Sequence, residues 1–294
     1  MKVLILGGTG FLGKSLAEYL RKVSSFEILT PTRKDLNLLN REICTEYIGF
    51  HKPDRIIHCA VNVASVEESL RTYYNIVSNF ESFGRLLYFG SGAEYNPLRY
   101  IPLMKESYSE NSFPETGYAL AKWIIGRDIE KSSVENIVNL RLFAVYGNYE
   151  NFSRRFISNN ICRVLVGLPV SMSQDIKFDY LFIDDLCEYT LKILTAEKIS
   201  FKTYNICSGE PVSLSTLGQT IRSLMKVKTE LKIAKTGEAA EYSGDPSRAI
   251  REFGKISKTP VEVAINGMVS YFADQYSNNS DFKRLTLDLF RDEI

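Results

Sequence analysis

The chain has 294 residues, 45% of them hydrophobic and 24% charged, and its 36 basic and 35 acidic side chains leave a formal charge of +1. This is enough chain to bury a large core in one or two lobes, and the composition is that of an ordinary globular protein. Such even charge offers no electrostatic basis for a nucleic-acid or membrane partner, though a few local cations would suffice for a small anion.

The opening run Val3–Leu6 is apolar, strand-like and ended by glycine. It is shorter than a signal-peptide core, and no long apolar run follows, so the expected location is cytoplasmic. Gly13–Lys22 has helical spacing, with Leu16, Leu20 and Val23 on one face. Strand-like runs recur at Glu27–Thr30, Arg55–Ala60, Leu86–Gly90 and Ile137–Leu142, with helical stretches around Arg41–Phe50, Val66–Phe80 and Ala119–Lys131. This alternation predicts an α/β fold, a Rossmann-like doubly wound parallel sheet with crossover helices. Past Gly147 the pattern predicts a helix over Phe152–Val166 and a strand over Phe178–Ile183. Asp184 then caps a further helix. Thr203–Cys207 reads as a strand, with helices over Ser213–Met225, Asp245–Phe253 and Val261–Tyr276, and a loosely held polar tail from Ser277. The expected division is a cofactor domain over 1–150, to which 176–200 returns, and a smaller α/β substrate lobe over 151–294.

Three segments carry chemistry. Gly7-Gly8-Thr9-Gly10-Phe11-Leu12-Gly13 sits between the first strand and the first helix. Glycines there let the backbone approach a pyrophosphate, and the helix N-terminus supplies free N–H groups. Tyr118 and Lys122 stand four residues apart on a predicted helix, which brings a phenol and an ammonium to one face. A cation beside a phenol favours the phenolate and would lower its pKa toward a value useful for proton transfer. Ser91 lies in Phe89-Gly90-Ser91-Gly92-Ala93-Glu94-Tyr95 at the end of the fourth strand, where an open α/β sheet binds ligands. The five cysteines, Cys44, Cys59, Cys162, Cys187 and Cys207, are odd in number and show no CxxC spacing, so they read as reduced core thiols rather than disulfides or zinc ligands.

In this order and spacing, the three segments resemble the extended short-chain dehydrogenase/reductases. The resemblance continues through Arg141–Gly147, Phe178–Asp185, Tyr204–Gly209 and the stretch from Arg248 to Gly254. It implies that Tyr118 is the general acid/base, that Ser91 polarises the reacting oxygen and that Lys122 holds the nicotinamide ribose and tunes Tyr118. It also implies cofactor contacts from Ala60 and Val61, and a homodimer formed through the helices Val66–Phe80 and Ala119–Lys131. After the second strand, Thr32 is followed by Arg33 and Lys34 where an acidic residue would accept an NAD ribose hydroxyl. NADP(H) is therefore favoured, with NAD(H) the alternative. Asp35 and Leu36 are similar to the pair that flanks the adenine.

Within the family the pattern is most similar to the GDP-fucose synthase branch, which epimerises a 4-keto sugar before reducing it. Its epimerisation cysteine is here Ala93 and its histidine position falls on Arg155. The resemblance therefore implies a 4-keto-reductase of a nucleotide-diphosphate sugar, a GDP-linked 4-keto-deoxysugar or heptose, without the epimerisation pair. Ser91, Gly92, Ala93, Arg154, Arg155, Lys177 and Arg248 are the expected substrate contacts. The connection from Asn62 to Leu86 is shorter than is usual in the family, and Ala144 replaces a substrate-contacting asparagine. No metal is expected, Asp184 and Asp185 having structural roles. Two other readings stay open: a 4-dehydrogenase or 4-epimerase retaining NAD, and a non-catalytic NADP-sensing protein.

Overall fold

The computed structural model describes residues 1–293 apart from Asn111, Ser112, Thr116 and Glu238. Strands β1 (Lys2–Leu6), β2 (Glu27–Leu29), β3 (Arg55–His58), β4 (Arg85–Ser91) and β5 (Ile137–Leu142) join β10 (Thr203–Ile206) in one sheet. Its order is β10-β5-β4-β3-β1-β2 and the paired strands run parallel. The central strands are continuous apolar runs because both faces are covered. Leu4, Ile5, Ile56, Ile57, Leu86, Leu87 and Leu140 are fully buried.

Helix α1 (Phe11–Val23) covers one face together with α6 (Ile183–Thr195), through Leu16, Leu20, Leu186 and Ile193. On the other face lie α2 (Arg41–His51), α3 (Val66–Val77) and α4 (Gly117–Lys131), contributing Ile48, Ile76 and Ile125. Each such aliphatic side chain contributes about 2 kcal/mol of transfer free energy. This is a Rossmann-like doubly wound fold, and its strand order reverses between β1 and β3.

The second lobe packs α5 (Phe156–Leu165), α7 (Leu214–Leu224), α9 (Val261–Asn278) and α10 (Ser280–Leu289) around Ile157, Ile161, Leu217, Ile265 and Phe272. Short ladders pair β6 (Ala144–Tyr146) with β9 (Tyr180–Phe182), β8 (Lys177–Phe178) with β11 (Val212–Ser213), and β7 (Ser171–Met172) with β12 (Lys232–Ile233). Residues 183–195 pack on the cofactor-domain core, but so do β10 and α8 (Ser247–Phe253), through Tyr204, Ile206 and Ala249. The boundary between lobes is thus crossed by β10 and α8 as well as by the segment expected to return.

Three expectations are corrected. The strand expected over 178–183 is broken at Asp179, whose carboxylate turns inward to accept Ser208 N at 2.6 Å and Gly209 N at 2.9 Å. Helix α6 starts at Ile183, so Asp184 stands in its first turn instead of capping it. The polar tail is the ordered helix α10, whose N-cap Asn279 accepts Phe282 N at 3.1 Å. The Phe282 ring lies 4.8 Å from Phe152, and Arg163 holds Glu293 through two bonds of 2.8 and 2.7 Å. Among the described residues, no helix is long and apolar enough to cross a membrane.

Phe290, at the end of α10, is 3% exposed. Phe290→Ala is expected to lower stability by about 3 kcal/mol in urea unfolding. Phe50→Ala, on the exposed side of α2, should change it by less than about 0.5 kcal/mol.

Candidate active site

At the carboxyl ends of β1 and β3 a cleft of about 410 Å³ is lined by Gly7, Thr9, Arg33, Leu36, Ala60 and Val61, among others. Its floor requires glycine. Gly7 has φ +83°, and a Cβ there would stand 2.9 Å from Ala60 N. A Cβ on Gly13 would collide with the Gly7 carbonyl. Gly10 N donates to Gly7 O at 3.0 Å and caps α1 without a side chain, so the first-turn N–H groups of Phe11, Leu12 and Gly13 remain for an anionic ligand. These residues fit a dinucleotide: the turn and helix end would hold its pyrophosphate, and Leu36, Ala60 and Val61 its apolar parts. In the turn that follows β2, Arg33 lines the cleft, whereas Lys34 and Asp35 do not. The Asp35 carboxylate accepts Thr32 N at 2.9 Å and Thr32 Oγ1 at 2.8 Å, bonds that hold its pKa below the usual value. Asp35 therefore closes the turn that presents Arg33.

Ser91 and Tyr118 come together at the end of β4, where the Ser91 side chain acts on the Tyr118 phenol in the direction of the anion. The net effect is nevertheless a raised Tyr118 pKa, with burial the largest cause. The lowering expected from Lys122 is not seen. Lys122 Nζ donates to Phe89 O at 2.5 Å, lies 4.3 Å from the Tyr88 ring and stands 5.7 Å from that of Tyr118. Burial pushes the Lys122 ammonium down to about 8, against the opposing pull of Glu94.

Beneath Ser91 lies a buried polar network. Glu94 Oε2 accepts Arg141 Nε at 2.6 Å with both side chains fully buried. Glu94 Oε1 accepts Ser91 N at 3.0 Å, and Asn139 Nδ2 donates to both carboxylate oxygens. A Cβ on Gly90 or Gly126 would strike this carboxylate. Arg141 further donates to Glu106 O at 2.9 Å and Ser109 Oγ at 2.9 Å.

A second pocket of about 280 Å³ opens toward the other lobe, lined by Ala144, Glu150, Arg154, Arg155, Phe178 and Tyr180, among others. Arg154 and Arg155 are therefore placed beside a shared cavity, and Arg155 also acts on Tyr118 in the direction of the phenolate. Gly92 and Ala93 form the short turn after Ser91, whose hydroxyl accepts Ala93 N at 3.1 Å. Lys177 is exposed and lines neither pocket. Arg248 is also placed elsewhere: it donates to Thr203 O at 2.9 Å, lies 3.5 Å from Glu106 and stacks at 4.5 Å on Phe201. Its guanidinium is spent on the amino end of β10, away from the carboxyl ends where ligands bind. Asp185 accepts Thr259 Oγ1 at 2.7 Å, joining α6 to the segment before α9. No group of three or more potential ligands is placed to hold a metal among the described residues.

Residues 3–207 match the profile of the NAD dependent epimerase/dehydratase family. The chain belongs to this family. It is an NAD(P)-dependent enzyme of the oxidoreductase type. GDP-L-colitose synthase of Yersinia pseudotuberculosis is 20% identical over 95% of this chain and 100% of its own. GDP-6-deoxy-D-talose 4-dehydrogenase of Aggregatibacter actinomycetemcomitans is 24% identical over 86% of this chain and 92% of its own. The fold is shared with an NADP-bound GDP-L-fucose synthetase from Naegleria fowleri, with a TM-score of 0.79 at 16% identity over 94% of this chain and 95% of that one.

Sequence reasoning missed Glu150 and Tyr242, in or beside this family site, and it read His58 as a packed core position of the third strand. Glu150 lines the second pocket, accepts Ser158 N at 3.1 Å and is pushed up to about 7 by burial. Tyr242 reaches Ser91 from the second lobe. His58 ends β3, 1% exposed and edge-on to Tyr88 at 5.5 Å, and neither ring nitrogen has a hydrogen-bond partner among the described residues.

Burial, reinforced by the Lys122 charge, lowers His58 to about 4. A histidine depressed in the fold keeps its full stability above the unfolded value near 6.5 and loses it as pH falls toward 4. Between pH 7 and 5 the loss attributable to His58 should be about 2 kcal/mol. From pH 7 to 5 the parent should lose about 2 kcal/mol relative to His58→Leu in urea unfolding, because Glu150, pushed up to about 7, moves both proteins alike in the opposite direction.

Proposed function

We propose that the enzyme is an NADPH-dependent 4-keto-reductase of a GDP-linked sugar that works without an epimerisation step. The observation that carries this reading is a proton inventory. The half-buried phenol of Tyr118, its pKa moved up and not down, carries its proton at neutral pH and stands beside the Ser91 hydroxyl. Two residues past Ser91, Ala93 offers no group that could take a proton from carbon.

When bound, the nicotinamide cofactor supplies hydride-transfer chemistry. The Gly7–Gly13 turn would hold the dinucleotide, and Arg33 would meet a ribose 2′-phosphate. Ser91 donates a hydrogen bond to the substrate carbonyl oxygen. Tyr118 gives up its phenolic proton as that oxygen gains charge. Arg154 and Arg155 neutralise the diphosphate from the second pocket. The choice of GDP rests on the names of the two curated relatives, and the choice of C4 on the 4-dehydrogenase. That same name supports a second reading, in which this site runs as an oxidant and retains NAD.

NADPH oxidation followed at 340 nm with GDP-4-keto-6-deoxymannose, with product NMR in deuterated water, tests the proposal. Turnover without deuterium at C3 or C5 is the expected result. Tyr118→Phe should lower kcat by about 10²–10⁴ while leaving NADPH binding intact. Deuterium at either carbon would refute the loss of epimerisation. Stoichiometric NAD on the purified enzyme, with no NADPH oxidation, would replace this reading with the oxidative one.

A further inference from the structure

Tyr242 belongs to none of the segments that carry the family likeness, yet it is held in the catalytic turn. Its backbone N–H donates to Lys177 O at 2.9 Å, and its carbonyl accepts Asp179 N at 2.9 Å, so the residue is stitched to β8 of the second lobe. The ring is wedged between Phe143 at 5.0 Å, Tyr100 at 5.1 Å and Phe178 at 5.8 Å. These contacts drive the hydroxyl into the Ser91-Gly92-Ala93 turn. It sits where a side chain on residue 92 would be, since a Cβ on Gly92 would collide with Tyr242 Oη. The phenol is thus a polar atom carried by the second lobe to the catalytic serine. Its pKa is pushed well above the usual value, burial being the largest cause, so it is a permanent hydrogen-bond donor at working pH.

We infer that the Tyr242 hydroxyl is a specificity-determining contact, donating to the sugar hydroxyl on the carbon next to the one that reacts. The geometry follows from Ser91. A substrate oxygen bonded to Ser91 brings its neighbouring ring substituent alongside residue 92, and the Tyr242 oxygen occupies that flank. A rigid ring held by three others loses little freedom on binding, so its bond is realised nearly in full. Because the residue belongs to the second lobe, the contact also ties the sugar to the lobe that holds its diphosphate. The inference rests on the proposed nucleotide-sugar reading.

The test uses calorimetry on the cofactor-free enzyme, where no turnover occurs, with GDP and with GDP-4-keto-6-deoxymannose, comparing the parent with Tyr242→Phe. The phenylalanine keeps the ring and its packing. The expected result is unchanged affinity for GDP and about a tenfold loss for the keto sugar, with KM in the NADPH assay rising by a similar factor. Gly92→Ala, whose methyl would meet both the Tyr242 hydroxyl and the Phe143 ring, should also weaken keto-sugar binding. Equal affinity of Tyr242→Phe and parent for the keto sugar would overturn the inference. So would a fall in kcat with KM unchanged, since the hydroxyl would then be orienting Ser91 instead of touching substrate. If the parent itself binds neither GDP nor the keto sugar, the proposed function fails first, a result distinct from the other two.

Discussion

The ion pair between Glu94 and Arg141 is the constraint on which the site is built. Two charges without solvent contact are costly, and their attraction compensates only when the remaining donors and acceptors are satisfied. Here they are: the carboxylate takes bonds from Ser91 N, Asn139 Nδ2 and Arg141 Nε. The guanidinium spends its other donors on Glu106 O and Ser109 Oγ. Removing one partner would strand the other, a loss of about 3–5 kcal/mol. What the pair gains for the enzyme is position. It ties the backbone of Ser91 to β5 and so fixes the serine against α4, which carries Tyr118. Gly90 and Gly126 are the space this requires, since a methyl at either would overlap the carboxylate.

The same network explains why much of the molecule is readable from sequence. Arg141 and the Gly-Ser-Gly-Ala-Glu run lie far apart in the chain, but each sits at a strand end within a recognisable pattern. The parallel sheet brings those ends to one edge. Elements of strong apolar periodicity, such as β1, β4, β5 and α1, were legible for the same reason: burial on both faces demands continuous apolar strands, and one-sided burial demands a stripe at helical spacing. The Gly7–Gly13 turn was legible because the backbone at Gly7, Gly8 and Gly13 leaves no room for a side chain.

What escaped was whatever depends on a partner remote in sequence. Arg248 carries the right charge for a diphosphate, but Glu106 and the Phe201 ring claim it first. Lys177 contributes its carbonyl, which holds Tyr242, while its ammonium faces solvent. The i,i+4 spacing of Tyr118 and Lys122 correctly put both on α4, but spacing does not reveal that Lys122 would bond to the Phe89 carbonyl. Helix α10 looked like a polar tail because its outward face is charged, and its few inward residues find their neighbours only across the second lobe. Tyr242 had no local signal at all: its place is dictated by pairing with β8 and by three aromatic rings from other segments.

These misses share a consequence for the chemistry. The phenol–ammonium pair read from spacing describes a general acid/base whose pKa is drawn down by a nearby cation. In the folded arrangement burial outweighs the opposing influences of Ser91 and Arg155, so the pKa moves up instead of down and the Tyr118 proton stays in place at neutral pH. A donor in that state matches addition to a carbonyl, where oxygen gains charge and must be protonated. It is poorly matched to abstraction of a proton from carbon. On the proposed reading, then, the enzyme does not need to replace the residues absent at Ala93 and Arg155. A single protonated phenol and a serine hydroxyl supply what reduction at one carbon demands, and Arg155 is released to serve the diphosphate.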